Sequence, residues 1–469
     1  MSRKMKNMVL EGLEIERIAT EGKCVAHYEG KVVFVQQVAP GDVVDVRVTK
    51  GRNSFLEAEA IRIRSYSKDR VEPFCQHFGV CGGCKWQHLG YSLQLSYKRQ
   101  QVIDQFQRIA KVPLPEINPI IGAKDDRYYR NKLEFTFSNN RWLTKEEIAS
   151  GESFEKNALG FHVPKRFDKI VDISHCHLQE GLSNEIRNKL RDFALAKGIS
   201  FFDLIRQEGT LRNLIIRTTL SGETMVIVQF GEENSEAIHA VMEFLHTSFP
   251  KLTSLLYIIN LKKNETFHDQ EVHTYAGTPY IEEVMEDLKF RIGPKSFYQT
   301  NSHQAHRLYQ VAKEFADLSG DEVVYDLYTG TGTIANYVAR HSKKVIGIEY
   351  VEAAVQDAHI NSELNRIQNT EFYAGDMKDI LNDEFVEKHP APDVVITDPP
   401  RAGMHEDVVK RLLSLGASRI VYVSCNPATQ ARDVALLADR YEVTAIQPVD
   451  MFPQTYHVEN VVLLTKKTQ

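Results

Sequence analysis

The chain has no apolar run approaching the roughly 20 residues that a membrane-spanning helix needs; residues 255–261 form one of its longest and fall far short. Nor does its basic start, Met1-Ser-Arg-Lys-Met-Lys-Asn-Met8, lead into an apolar segment. Glu11, Glu14 and Glu16 follow instead, so no secretory signal is expected and a cytoplasmic location is. Positive charge is not in excess either. A formal net charge of −6 argues against a surface that binds polyanions over its whole extent and leaves room for a local basic patch. Cysteine is scarce: six in 469 residues do not make a disulfide framework, but three of the six cluster, which points to metal. No internal repeat or low-complexity tract is present, and the length exceeds what one core can organise, so about three domains are expected.

What is present begins with short alternating runs over residues 9–18, 31–38, 43–48 and 58–63, separated by turns rich in glycine. Their spacing predicts a five-stranded OB-like barrel in which Cys24 is plain packing. Cys75, Cys81 and Cys84 follow in a loop whose glycines let the backbone bend around a metal. His175-Cys176-His177 offers a fourth ligand. On chemistry alone zinc, with His77, His175 or His177 as substitute ligands, and an iron–sulfur cluster are equally compatible with this set. Residues 91–109 have helical periodicity. Asp126-Arg-Tyr-Tyr-Arg-Asn-Lys132 then interleaves aromatic and basic residues, a mixture that serves base stacking and phosphate contact, although a solvated strand edge reads the same way. Residues 158–280 read as α+β. From about residue 295 strands and helices alternate regularly, the pattern of a doubly wound, mostly parallel sheet.

In that last part, Asp326-Leu-Tyr-Thr-Gly-Thr-Gly332 closes the first strand and opens a helix, and Glu349 ends the second strand. The glycines allow close approach of a ligand, and the acid is placed to hold ribose hydroxyls. The third glycine of the dinucleotide fingerprint and a Walker lysine are both missing, which disfavours NAD and ATP against S-adenosylmethionine. Asp376, after the third strand, faces the adenine ring or caps a helix. Asp398-Pro-Pro-Arg-Ala-Gly403 ends the fourth strand. Arg401 stands where amino-group methyltransferases carry an aromatic, so a different chemistry is expected. Residues 420–423 read as a buried strand that stops at Ser424-Cys-Asn-Pro427, leaving Cys425 at a strand end as a candidate nucleophile or a small buried hydrophobe.

Taken together, the motifs Ser296-Phe-Tyr-Gln-Thr-Asn301, Asp326 to Gly332, Asp398 to Gly403, Ser424 to Thr429 and Phe452-Pro453 with His457-Val-Glu459 resemble the bacterial RNA (uracil-5-)-methyltransferases. The similarity is closest to the TRAM-bearing 23S rRNA enzymes of RumA type, and Gly22 to His27, Gly30 to Val35 and Pro40 to Asp42 resemble the TRAM barrel itself. One departure is Thr329, where many members have cysteine.

The resemblance implies four segments: a TRAM/OB-like RNA-binding barrel at 1–68, an α+β central domain at 69–92 and 124–285, a helix at 93–123 packing on the catalytic domain, and a Rossmann-like methyltransferase domain at 286–469. It implies Cys425 as the nucleophile that adds to uracil C6 and Glu459 as the base that removes the C5 proton. Gln299, Tyr328, Gly330, Thr333, Glu349, Asp376 and Asp398 match cofactor-binding positions, Phe297 a base-stacking one and Arg401 a substrate-positioning one. Cys75, Cys81, Cys84 and Cys176 match the ligands of a [4Fe–4S] cluster, which makes the set iron–sulfur in place of zinc. The implied partner is RNA, 23S rRNA ahead of the tRNA T-loop, with no membrane and no obligate protein partner, and the chain is expected to be a monomer. A non-catalytic RNA-binding factor on the same fold is the competing class.

Overall fold

The computed structural model describes residues 6–52 and 54–468; the basic start at residues 1–5 lies outside them. Among the described residues no helix is long and apolar enough to cross a membrane.

The N-terminal module is built from the strands Val9–Glu14, Arg17–Ile18, Cys24–Tyr28, Lys31–Gln36, Val43–Gly51 and Phe55–Ser65. It has one strand more than the sequence predicts because residues 9–18 pair on two sides. The first half lies against Val43–Gly51 and the second against Cys24–Tyr28. At the join the Ile15 N–H donates to the Asp42 carbonyl and the Glu16 N–H to the Val25 carbonyl, so one ribbon links both edges of the sheet. Leu10, Leu13, Val33, Val35, Val44 and Val46 fill the interior by strand alternation. Cys24 is part of that packing, its thiol donating to the Val38 carbonyl.

The central sheet runs in the order His273–Gly277, Ser254–Ile259, Thr224–Phe230, Leu211–Thr218, Lys132–Ser138, Ala158–Val163, Arg166–Asp172. One face buries Phe135, Leu214, Ile216 and Val228 beneath the helices Gly181–Lys197 and Ser235–Ser248. The other contributes Ile215, Ile227 and Leu256 to a core shared with the C-terminal domain. Residues 158–163, which open the stretch expected to be α+β, form an additional strand because Gly160 lets the Val171 carbonyl approach; a Cβ there would stand 2.0 Å from it. A hairpin of Ile281–Met285 and Leu288–Ile292 is also absent from the sequence-based expectation.

The C-terminal sheet comprises β1 (Val323–Leu327), β2 (Lys344–Glu349), β3 (Thr370–Ala374), β4 (Val394–Thr397), β5 (Arg419–Ser424), β6 (Tyr441–Val449) and β7 (Glu459–Lys466). The spatial order is β3-β2-β1-β4-β5-β7-β6, with β1 to β5 parallel and β7 antiparallel to both neighbours. Strand order reverses between β1 and β4, and the crevice beyond their carboxyl ends is where such sheets bind ligands.

The helix Tyr91–Gln105 belongs physically to this sheet. Val102 and Phe106 share a core with Tyr325 and Tyr422. Lys98, fully buried, donates its Nζ to Asp450 Oδ1 at 2.6 Å and to the Phe452 carbonyl at 2.9 Å. Tyr91 donates its hydroxyl to the other Asp450 oxygen. Lys98→Ala leaves that carboxylate buried without a counter-charge, and a loss of about 3–5 kcal/mol is expected from the denaturant midpoint.

Candidate active site

β5 and β7 pair antiparallel with Ser424 opposite Asn460. One residue further on, Cys425 leaves β5 beside Glu459, which opens β7. The Gln430 side chain locks this register. Its Nε2 donates to the Tyr422 and Asn460 carbonyls at 2.8 and 3.0 Å, and its Oε1 accepts from Asn460 Nδ2 at 2.7 Å. Asn426 caps the next helix, Pro427–Leu437, by accepting from the Ala428 N–H, and Pro427 at the first turn has no N–H to leave unpaired. Cys425 opens into a cleft of about 320 Å³ walled by Arg401, Gln105, His457 and Tyr456, with Glu21 from the N-terminal barrel.

The loop after β4 is tied to the same helix. Asn426 Nδ2 and the Thr429 hydroxyl both donate to the Arg401 carbonyl, at 3.0 and 3.2 Å. The Met404 N–H and the Tyr422 hydroxyl donate to Asp433 Oδ2, at 2.9 and 2.7 Å. Gly403, at φ +78, lies so close that a Cβ would meet Asp433 Oδ2 at 2.7 Å. Asp433 and Gln430 are therefore positioning residues that sequence reasoning missed, since neither sits in a motif.

Asp326, Asp398 and Glu459 form an acidic group with little to neutralise it. Burial, with Asp326 adding to it, pushes Asp398 up to about 7. Burial pushes Asp326 up to about 7 as well, against the Thr329 hydroxyl that donates to its Oδ2 at 2.5 Å. Asp326 Oδ1 has no partner. Glu459, only 3 % exposed, is raised to about 8 by burial and by Asp398, with Arg401 acting the other way. The Cys425 thiol is raised to about 11 by burial, Glu459 and Asp398, again with Arg401 opposing. Tyr309, buried on the helix Ser302–Ala316, feels all three carboxylates and was not singled out from sequence. A cation such as a sulfonium entering this crevice would meet carboxylates that lack a counter-ion and would favour their ionised forms.

The glycine loop closes the same crevice. Tyr328 holds φ +63, in the left-handed region that non-glycine residues seldom occupy, which is the kind of local strain that clusters at ligand sites. Gly330 donates its N–H to Glu349 Oε2 at 3.1 Å, and Glu349 Oε1 accepts from Val351. Thr333 opens the helix Thr333–Ala339, its hydroxyl 3.2 Å from that of Thr331. Gln299 is 7 % exposed and Phe297, two residues before it, is 66 % exposed. Thr331 holds the Phe297 carbonyl at 3.5 Å, so the loop carrying both residues abuts the glycine loop. Asp376 caps the helix Met377–Ile380, accepting from the Lys378 N–H at 3.2 Å.

Cys75, Cys81, Cys84 and Cys176 all line one cavity of about 160 Å³ in the central domain. Burial raises all four thiols, Cys81 to about 11 and Cys84 to about 12. Among the described residues no group of three or more His, Cys, Asp or Glu side chains is gathered to hold a single metal ion. The Tyr128 hydroxyl lies 3.1 Å from His175 Nε2 and 3.2 Å from His177 Nδ1.

Known proteins bear on this arrangement. The family model described as tRNA (Uracil-5-)-methyltransferase matches residues 216–467, and that of the TRAM domain matches residues 12–61. A Bacteroides thetaiotaomicron protein named an uncharacterized RNA methyltransferase is 56% identical over 95% of this chain and 99% of its own. A Chlorobaculum tepidum protein of similar name is 41% identical over 96% of this chain and 95% of its own. Among solved structures, the Pyrococcus abyssi tRNA (uracil-54, C5)-methyltransferase in complex with S-adenosyl-L-homocysteine superposes with a TM-score of 0.77. It is 30% identical and covers 97% of this chain and 99% of its own.

Proposed function

Since the chain belongs to the tRNA (uracil-5-)-methyltransferase family and is an S-adenosylmethionine-dependent RNA (uracil-5-)-methyltransferase, we propose that it makes 5-methyluridine in 23S rRNA through a covalent bond from Cys425 to uracil C6. The observation that carries this reading is the pairing of β5 with β7, which sets a thiol on the wall of a cleft with a buried carboxylate beside it. Uracil C5 is a poor nucleophile. Addition of the Cys425 thiolate to C6 pushes the ring electrons toward C5 and O4 and makes C5 nucleophilic. S-adenosylmethionine, when bound, supplies the methyl that C5 accepts. Glu459 then takes the C5 proton, the electron pair re-forms the C5–C6 double bond, and the thiolate leaves. Gln299, Tyr328, Gly330, Thr333, Glu349, Asp376 and Asp398 would hold the cofactor, Phe297 would stack on the uracil, and Arg401 would steady it and favour both ionised forms.

This assignment fixes a pH dependence. Glu459 and Cys425 both act ionised, and their pKa values of about 8 and about 11 leave both protonated at neutral pH. kcat/KM for RNA, which ends at the irreversible methyl transfer, is therefore expected to climb from about pH 6 to 9 with a logarithmic slope of about one as Cys425 ionises, and kcat to report in addition the loss of the Glu459 proton near pH 8. A profile that is flat or falling over that range contradicts the assignment.

Cys75, Cys81, Cys84 and Cys176 would hold a [4Fe–4S] cluster. Four thiols around one void fit a cluster that bridges several thiolates, where a lone zinc ion needs its ligands drawn into one tetrahedron. Protein prepared without oxygen should carry about four irons per chain, and Cys81→Ser should lose the iron and melt at lower temperature. Zinc in place of iron would refute the cluster. In this reading residues 1–68 hold RNA, 69–92 and 124–285 carry the cluster, 286–469 perform the transfer, and 93–123 brace it.

The pairing of a TRAM barrel with four cluster cysteines supports rRNA. One observation favours tRNA: the Pyrococcus abyssi enzyme is named for tRNA uridine 54 and aligns over 97% of this chain, so its match extends into the barrel. Mapping 5-methyluridine in rRNA and tRNA from cells lacking the protein separates the two. A missing methyl in 23S rRNA is expected, and one missing only from the T-loop overturns the rRNA assignment.

A further inference from the structure

Beside exposed Phe297 lies a second cleft, of about 410 Å³, between the central sheet and the loop of residues 294–300. Its floor is set by strand register. Lys132, the last residue of the aromatic–basic motif, stands opposite Arg217 on the neighbouring strand, and Glu134 follows on the same face. Arg217 is only 6% exposed and donates Nη2 to the Ser296 carbonyl at 2.8 Å. Its buried Nε, in contrast, has no partner. Glu134 is the carboxylate whose charge both cations feel. Glu265, also on the wall, is engaged with His162, 3.6 Å away. With Lys295 on the loop, three cations face Glu134 and Glu265, which leaves the cleft lining with an excess of one positive charge. The cleft also has an aromatic wall, where Phe267 and His268 stack with ring centroids 5.5 Å apart.

The loop that carries Phe297 is fastened to this floor. Besides the Arg217 hydrogen bond, the Ser296 hydroxyl donates to Asp357 Oδ2 at 2.6 Å, and Lys295 Nζ donates to the Gln270 carbonyl at 2.6 Å. A ligand in the cleft therefore meets a prepared wall directly beside the residue that faces the target base. An RNA strand entering there presents one anionic phosphate and one flat base per nucleotide, which is what a desolvated cation pair and an aromatic wall accept.

We propose that this cleft is a nucleotide subsite for the RNA strand flanking the target uridine, with a backbone phosphate on Lys132 and Arg217. The proposal rests on the uracil-5-methyltransferase reading for what occupies the cleft. Lys132 is here a binding residue, distinct from the catalytic pair.

The test uses the full chain and a stem-loop RNA built around the mapped uridine, with single neutral methylphosphonates placed at each phosphate within three nucleotides of it. Wild-type protein should lose affinity at one flanking position. In Lys132→Ala that position should become silent, and the slope of log affinity against log salt should be shallower by about 0.7, the share of a single phosphate. The loss should appear in Kd and KM and not in kcat. Lys132→Arg should restore the sensitivity, which a merely structural role for Lys132 would not require. If the same phosphonates weaken both proteins equally, or the salt slope does not change, the subsite is overturned. These binding readouts need no chemistry, so an absence of adduct with 5-fluorouridine RNA in wild-type protein would count against the methyltransferase mechanism alone, and the phosphonate series would still decide the cleft.

Discussion

Replacing Cys425 with serine is expected to reduce methyl transfer by at least about four orders of magnitude, as removal of a nucleophile does in other covalent enzymes. The substitution changes one atom at a half-buried strand end, so folding is not at issue. What it removes is a polarisable nucleophile that a fraction of the time is already anionic. A serine hydroxyl in the same place, with burial, Glu459 and Asp398 all disfavouring negative charge, has no accessible alkoxide. The decisive readout is RNA containing 5-fluorouridine, whose C5 fluorine cannot leave as a proton does. Wild-type protein with S-adenosylmethionine should form a complex that survives denaturing electrophoresis, and the serine variant should form none. A serine variant that methylates at the wild-type rate would sink the mechanism.

Glu459→Gln should produce the opposite phenotype at the level of the adduct. Without a base, C5 accepts the methyl and keeps its proton, so the thiolate cannot be expelled. Turnover should fall by about 10²–10⁴, the usual worth of general-base help. Ordinary uridine-containing RNA, with no fluorine, should now remain covalently attached. The glutamine preserves volume in a site only 3 % exposed. Above pH 8, where Glu459 is ionised, it also removes a charge that raises the Cys425 thiol, so at about pH 9 iodoacetamide should label Cys425 faster in the variant than in the wild type. Slow turnover with no trapped RNA would assign the proton to another group, and Asp398 is the carboxylate next to it.

The two variants differ because the site separates its tasks by environment. Asp398 and Asp326 sit at the carboxyl ends of β4 and β1, on either side of the switch in strand order, where negative charge draws in a cation. Glu459 sits across the sheet beside the thiol. Arg401 pulls both the thiol and Glu459 toward their charged forms, which gives a cation at this position a physical use.

The strand ends were legible in the chain itself. β-branched runs stopping at glycine or proline mark the exits of β1, β4 and β5, and these exits carry Tyr328, Asp398 and Cys425. The helix Tyr91–Gln105 was legible from its period, as were most strands of the central sheet, because each is written in consecutive residues. The hairpin at residues 281–292 and the strand Ala158–Val163 were not. Both are short, the hairpin has one polar face and Ala158–Val163 carries a glycine at its centre, and they become strands only because a partner is present.

The sequence by itself determined which groups are chemically able to act: one thiol at a strand end, a set of acids, a glycine turn and four cysteines outside the catalytic domain. Tertiary structure alone decided that Glu459 stands beside Cys425, that Gln430 and Asp433 hold the two loops to one helix, that the four cysteines meet at one cavity, and that Lys132 faces Arg217. Each of these is a matter of register or docking between segments far apart in the chain. Register is chosen by which faces the whole molecule can bury, a quantity no local run of residues contains.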